Sequence, residues 1–205
     1  MSTKPRFIYF DLGNVLLAFS HEQAARQMAM VSGCTYELVW DLVFGSQRLE
    51  IEYERGALSS QEFYEAFCEL SRTTPPYQEF LIAGSAIFSP LQGTLAIADH
   101  LQNNAWSLGI LSNTCDAHWK YCLEHYPQVS SLFSVHCLSF QVGAMKPDEE
   151  IYLAAAEMAG CKPGELLFID DRPDNVQGAV DVGIDAIEFQ SAAQLQQELS
   201  RRDIL

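Results

Sequence analysis

The sequence predicts an α/β protein: a doubly wound parallel sheet, with an inserted helical bundle after its first strand. Three observations predict it. Short apolar runs at residues 107–111, 135–138, 166–169 and 186–189 alternate with helical patterns of about 10 to 12 residues, the order expected of parallel strands joined by right-handed crossovers. A first run, Phe7-Ile8-Tyr9-Phe10, is separated from the others by a long stretch of purely helical periodicity. Several of these runs end abruptly in polar residues, as strands do where an open parallel sheet presents its ligand-binding edge.

Taken in order, the first strand ends in Asp11 and turns at Leu12-Gly13. Helical spacing then continues from about His21 to Phe88, broken at Ser32-Gly33, Gly45-Ser46, Gly56 and Pro75-Pro76. Ser59 or Ser60 can cap residues 61–70, in which Phe63, Phe67 and Leu70 share a face. Trp40, Phe44, Phe63, Phe67 and Phe88 read as packing within this bundle. From Pro90 a helix over 91–102 leads to the strand 107–111, which ends in Ser112-Asn113-Thr114. A helix over 116–124, the run at 135–138, a loop at 143–147 and a helix over 148–159 follow. The strand 166–169 ends in Asp170-Asp171, and a helix over 173–182 precedes the last strand at 186–189. Residues 1–18 and 90–205 thus form the expected core, and 19–89 the insertion.

Composition narrows the function. The formal charge is −15, with only 12 lysines and arginines among 205 residues, which excludes a nucleic-acid surface. An anionic substrate must be met by a local cation. No apolar stretch reaches membrane-spanning length, and the polar Met1-Ser2-Thr3-Lys4-Pro5-Arg6 does not read as a secretory signal, so a cytoplasmic protein without membrane partners is expected. The six cysteines (Cys34, Cys68, Cys115, Cys122, Cys137 and Cys161) form no C-x-x-C pair and are expected to be reduced and structural.

Three parallel strands finish in Asp11, in Ser112 with Asn113, and in Asp170 with Asp171, so these groups converge on one edge, with Lys146 arriving on a loop. Carboxylates that close repel one another unless a cation intervenes. Oxygen ligands with room for water are what Mg²⁺ prefers, and it commonly holds a substrate phosphate. In this arrangement Asp11 serves as a carboxylate nucleophile toward phosphorus, with Lys146 and the metal offsetting the repulsion between two anions. Ser112 and Asn113 supply donors to phosphoryl oxygens. Asp171 completes the metal site and Asp170 orients its neighbours, although the sequence alone leaves open which of the pair binds metal.

These residues resemble the haloacid dehalogenase (HAD) superfamily. Its four signatures correspond in order and separation to Asp11-Leu12-Gly13-Asn14-Val15, Leu111-Ser112-Asn113-Thr114, Met145-Lys146-Pro147-Asp148 and Phe168-Ile169-Asp170-Asp171-Arg172-Pro173-Asp174-Asn175. The resemblance covers nearly the whole chain and is strongest to capped phosphatases, among them those of the bacterial glucose-1-phosphate type and the phosphatase domains joined to epoxide hydrolases. It implies a Rossmannoid core with a helical cap at 19–89. It also implies an aspartyl phosphate on Asp11 and Mg²⁺ bound by Asp11, by Asp171 and by the backbone carbonyl of Gly13. The implied function is a Mg²⁺-dependent phosphatase acting on a small phosphorylated metabolite of the sugar-phosphate kind.

The chain departs from that pattern at Gly13, where most phosphatases of the superfamily carry a second Asp that serves as general acid and base. Loss of that help costs roughly 10²–10⁴ in rate when the leaving group needs a proton. No carboxylate lies between Leu12 and Ser20, which leaves His21, Glu22, the substrate or a water as donor; His21 itself reads as a hinge or surface residue. A catalytically weak or non-catalytic binding protein of the same fold is the alternative reading. A dehalogenase is a minor one, since residues 13–20 lack the larger residue and the arginine found in those enzymes. Arg172 either reaches phosphate or pairs with a neighbouring acid, and His100, His118, His125 and His136 show no metal-ligand spacing.

Overall fold

The computed structural model describes residues 5–205; residues 1–4, most of the polar stretch read against a secretory signal, lie outside the described residues. The chain begins with β1 (Phe7–Phe10) and β2 (Leu17–Ala18), followed by five helices, α1 (His21–Ser32), α2 (Tyr36–Val43), α3 (Leu49–Glu54), α4 (Ser60–Ser71) and α5 (Tyr77–Ser85). It continues through β3 (Ser89–Pro90), α6 (Gln92–Asn103), β4 (Ser107–Ser112), α7 (Asp116–His125), α8 (Pro127–Ser131), β5 (Val135–Leu138) and α9 (Ser139–Val142). The last elements are α10 (Glu149–Met158), β6 (Leu166–Asp170), α11 (Pro173–Asp181), β7 (Asp185–Glu188) and α12 (Ala192–Arg201).

Five strands make one parallel sheet in the order β5-β4-β1-β6-β7, so the first strand lies at its centre. A strand covered on both faces must be apolar on both. Ile8 and Phe10 point into a cluster with Leu95, Leu101, Trp119, Leu195 and Leu199 of α6, α7 and α12. Phe7 and Tyr9 point the other way, against Tyr152, Ala155 and Ala179 of α10 and α11. Register then fixes the site. Phe10 lies opposite Ile110 and Ile169, which brings Asp11 level with Leu111 and Asp170, and the Asp11 N–H donates to Ile169 O at 2.8 Å.

The chain leaves and returns to the sheet at one place, where β2 and β3 pair antiparallel (Leu17 with Pro90, Ala18 with Ser89). Between them the five helices enclose their own core of Met28, Val39, Leu42, Tyr53, Phe63, Phe67 and Phe80, joined by Cys115 from the sheet side. Local signals set their ends. Ser20 caps α1 by accepting from Gln23 N at 3.2 Å, and Gly33 closes that helix at φ 71°, a conformation that favours glycine. Ser59 rather than Ser60 caps α4, forming a reciprocal capping box with Glu62. Ser60 lies within hydrogen-bonding distance of Tyr53 Oη (2.6 Å) and donates to Asp116 at 2.9 Å, tying α4 to α3 and to α7. Phe63 and Phe67 are buried as expected, whereas Leu70, in the last turn of α4, is half exposed. No helix of the described residues is long and apolar enough to cross a membrane.

Candidate active site

The carboxyl ends of β1, β4 and β6 meet the loop before α10, and Lys146 on that loop is the hub. Its ammonium has three N–H groups and three acceptors: Asp11 Oδ1 at 2.9 Å, Asp170 Oδ2 at 2.6 Å and Leu111 O at 3.0 Å. Lys146, Asp11 and Asp170 are all buried. The loop is held closely from behind by α11, because a Cβ on Gly178 would lie 2.8 Å from Pro147 O. Glycine is what lets that helix approach.

Asp170 is saturated. Its Oδ1 accepts from Arg172 N (2.8 Å) and Asn175 Nδ2 (3.0 Å), and its Oδ2 from Lys146 and again from Asn175 Nδ2 (3.1 Å). Asp171, half exposed, accepts one hydrogen bond from a neighbouring side chain, Asn14 Nδ2 at 3.2 Å. Asn14 reaches it from a left-handed backbone, φ 55°. Carboxylate oxygens of Asp11, Asp170 and Asp171 lie within 4.8 Å of one another. Lys146, in direct ion pairs with Asp11 and Asp170, offsets only part of the charge of three carboxylates, which leaves the site short of positive charge. Burial, with Asp170 and Asp171 adding to it, pushes the Asp11 carboxyl up to about 7, in spite of the opposing effect of Lys146. Burial also raises Asp171, partly offset by its bond from Asn14. Burial alone would lower the Lys146 ammonium, but Asp11 and Asp170 together carry it above the usual lysine range. One more polar atom, Asn175 Oδ1, is buried with no partner. An all-oxygen set with a deficit of positive charge fits a hard divalent cation.

Ser112 and Asn113 stand at the end of β4 as expected, but Asn113 is occupied otherwise than the sequence suggests. Its Oδ1 accepts from Lys146 N at 2.8 Å and its Nδ2 donates to Lys146 O at 2.9 Å, so its amide positions the lysine loop. Ser112 is buried and its hydroxyl makes a long bond to Asn113 O, 3.3 Å. Gly13 lies beside Asp11, and a Cβ built there would sit 2.7 Å from Phe19 Cε1. The ring of Phe19 fills the space a side chain would need.

A cleft of about 1700 Å³, counting its open mouth, separates this edge from the helical segment. Asp11, Asn113, Lys146 and Asp171 line one side, and His21, Glu50, Glu54 and Arg55 the other. His21 is therefore a cleft residue, with Nε2 2.9 Å from Glu50 Oε1, although the pair is not aligned for a hydrogen bond. Arg172 pairs with its neighbouring acid, Asp174, through Nε (3.1 Å) and Nη2 (2.7 Å). Asn14 and Asn175 were not singled out by the sequence reading, though both lie inside the motifs quoted there. Glu54 carried no signal, since only the placement of α3 brings it to the cleft.

A sequence profile described as haloacid dehalogenase-like hydrolase matches residues 6–183. The chain belongs to that family. This HAD hydrolase is 27% identical over 175 residues to flavin mononucleotide hydrolase 1 of Arabidopsis thaliana, covering 84% of the chain and 65% of that relative. It thus spans about two thirds of the relative's length. To the D-ribitol-5-phosphate phosphatase of Bacteroides thetaiotaomicron it is 23% identical over 200 residues, 94% of this chain and 96% of the other. A HAD family enzyme of Bacteroides thetaiotaomicron, solved in complex with magnesium and inorganic phosphate, has the same fold, with a TM-score of 0.79 at 24% identity over 91% of this chain and 95% of its own.

Proposed function

We propose that this HAD hydrolase is a Mg²⁺-dependent phosphatase of small phosphorylated metabolites, acting through an aspartyl phosphate on Asp11. The observation that carries the reading is Lys146 held between Asp11 and Asp170, with Asp171 beside them and a cleft in front. Asp11 is the nucleophile because it opens on the cleft at a strand end. Lys146 holds one Asp11 oxygen at 2.9 Å, which orients the carboxylate and leaves the other oxygen to attack. Ser112, at the end of β4, would donate its hydroxyl to a phosphoryl oxygen. Asp11, the Gly13 carbonyl and Asp171 would hold Mg²⁺, since Asp170 already accepts four hydrogen bonds from three donor groups while Asp171 accepts one side-chain bond. When bound, the ion supplies positive charge to a phosphoryl group that would otherwise approach an anionic site.

Named relatives support the class of substrate. Flavin mononucleotide and D-ribitol 5-phosphate are both phosphate esters of a primary alcohol, and the cleft walls here carry His21, Glu50 and Arg55, which suit hydroxyl-rich molecules. A sugar or polyol phosphate fits best. The six free cysteines support a reducing, cytoplasmic setting. A non-catalytic scaffold is disfavoured, because burying Lys146 with two carboxylates is expensive and of no use to a protein that only packs.

Incubation with Mg²⁺ and a panel of phosphate esters is expected to release phosphate, best from polyol and sugar phosphates, and to stop with a chelator. Asp11→Asn should abolish turnover. Undiminished release in that variant would refute the nucleophile. Asp171→Asn should raise the Mg²⁺ concentration needed for half activity far more than it lowers thermal stability.

A further inference from the structure

An alkyl phosphate is a poor substrate unless its departing oxygen gains a proton as the P–O bond breaks. Gly13 has no side chain to give one, and Phe19 fills its place. Among the described residues on the sheet side the other groups are committed: Asp11 must attack, Asp170 is saturated, the three N–H groups of Lys146 are engaged, Asp148 pairs with Arg55, and Asp171 is assigned to the metal. Across the cleft, His21 is drawn toward Glu50 and stacks on Phe44 at 4.7 Å. Glu54 differs from all of these. At the end of α3, it lines the main cleft with Asp11 and Lys146, and also lines a smaller cavity of about 290 Å³ bordered by Gly13, Phe19, Ser112 and Asn113. Glu54 thus borders both spaces that Gly13 borders. The backbone there is anchored, since the buried Ser139 hydroxyl donates to Glu54 O at 2.6 Å and the adjacent Arg55 pairs with Asp148 at 3.1 Å.

We propose that Glu54 is the proton donor and acceptor of the reaction, a catalytic carboxyl supplied by the helical segment in place of the side chain that Gly13 lacks. The proposal rests on the phosphatase reading of the same site. In the first step an Asp11 oxygen bonds to phosphorus, the bond from phosphorus to the leaving oxygen breaks, and the Glu54 proton passes to that oxygen, releasing the alcohol. In the second, the Glu54 carboxylate takes a proton from water as the water oxygen bonds to phosphorus. The bond from phosphorus to Asp11 breaks, phosphate leaves, and Glu54 is protonated again. Its surroundings suit the first role: burial, with the carboxylates of Glu50 and Asp11, raises it well above the ordinary carboxylate range, against a smaller lowering by Lys146 and Arg172. Among the described residues no hydrogen bond or ion pair ties its carboxyl to Asp11, Gly13 or Asp171.

The test compares kcat/KM of the full chain and its Glu54→Gln variant, with Mg²⁺, on glycerol phosphate and on p-nitrophenyl phosphate, whose leaving group needs no proton. Loss of roughly 10²–10⁴-fold on the alkyl ester with less than about 10-fold on the aryl ester is expected. Glu54→Asp should recover part of the alkyl-ester rate. Equal factors on both esters, whether large or negligible, would overturn the assignment. Fluoride NMR of the Mg²⁺-beryllium fluoride adduct on Asp11 checks that the variant's site is intact. If the unmodified protein releases no phosphate from either ester, it is the phosphatase reading that fails, and Glu54 falls with it.

Discussion

Asn113 grips the Lys146 backbone on both sides of its Cα, accepting from the Lys146 N–H at 2.8 Å and donating to the Lys146 carbonyl at 2.9 Å. This two-point grip ties the end of β4 to the loop that carries the ammonium between Asp11 and Asp170. Asn113→Ala leaves two backbone groups of the loop without partners, which costs about 1–3 kcal/mol. Thermal melts should show that loss, and kcat should fall by at least about 10-fold while KM changes little, since a displaced lysine affects orientation more than substrate capture. Asn113→Asp keeps the acceptor but loses the donor, and should fall between the two.

The raised Asp11 carboxyl makes stability depend on pH in a definite direction. Its folded value lies near 7, above the unfolded value of about 3.9, so between those limits the folded chain binds more protons than the unfolded one. Stability from this residue is fully present below about pH 4 and is lost as pH rises toward 7. In the metal-free protein, Asp11→Asn removes that loss. The variant's gain in melting temperature should therefore grow from pH 5 to pH 8, corresponding to a few kcal/mol at the upper end. Saturating Mg²⁺ should stabilise the unmodified protein and shrink the difference. A gain that is flat with pH would contradict the burial argument.

Gly13 and Phe19 are expected to be coupled. Because a Cβ at residue 13 would lie 2.7 Å from the Phe19 ring, Gly13→Ala and Gly13→Asp should each destabilise by roughly 1–3 kcal/mol through overpacking. Phe19→Leu alone should cost less. In the double variant the two effects should not add, with a coupling of about 0.5 kcal/mol or more read from denaturant melts. It follows that Gly13→Asp by itself is a poor way to restore an acid to this site.

The site's main members were legible in the sequence because each ends an apolar strand. Register in a parallel sheet then brings Asp11, Ser112 and Asp170 together without further information, and only the Lys146 loop needed the third dimension. The sequence also left open which of Asp170 and Asp171 is free to bind an ion, and that turns on hydrogen bonds from Asn175, Arg172 and Asn14, which no spacing rule reveals. The amide of Asn113 looked like a phosphate donor because a strand-end amide has no visible partner until the loop is placed. Glu54 was missed, and His21, one of several possible proton donors, read as a hinge or surface residue, for a related reason: their helices belong to the inserted segment, whose orientation toward the sheet depends on contacts such as Ser60 with Asp116 and Arg55 with Asp148. Among the elements, α12 went unread although Ser191 caps it and Leu195 and Leu199 are buried, and the short α8, α9, β2 and β3 are too brief to show periodicity.

The most direct test of the account is fluoride NMR of the protein with Mg²⁺ and beryllium fluoride, which imitates an aspartyl phosphate. The account predicts a bound signal that needs Mg²⁺, disappears with a chelator and is absent from Asp11→Asn. No Mg²⁺-dependent signal in the unmodified protein, or the same signal in Asp11→Asn, would contradict it.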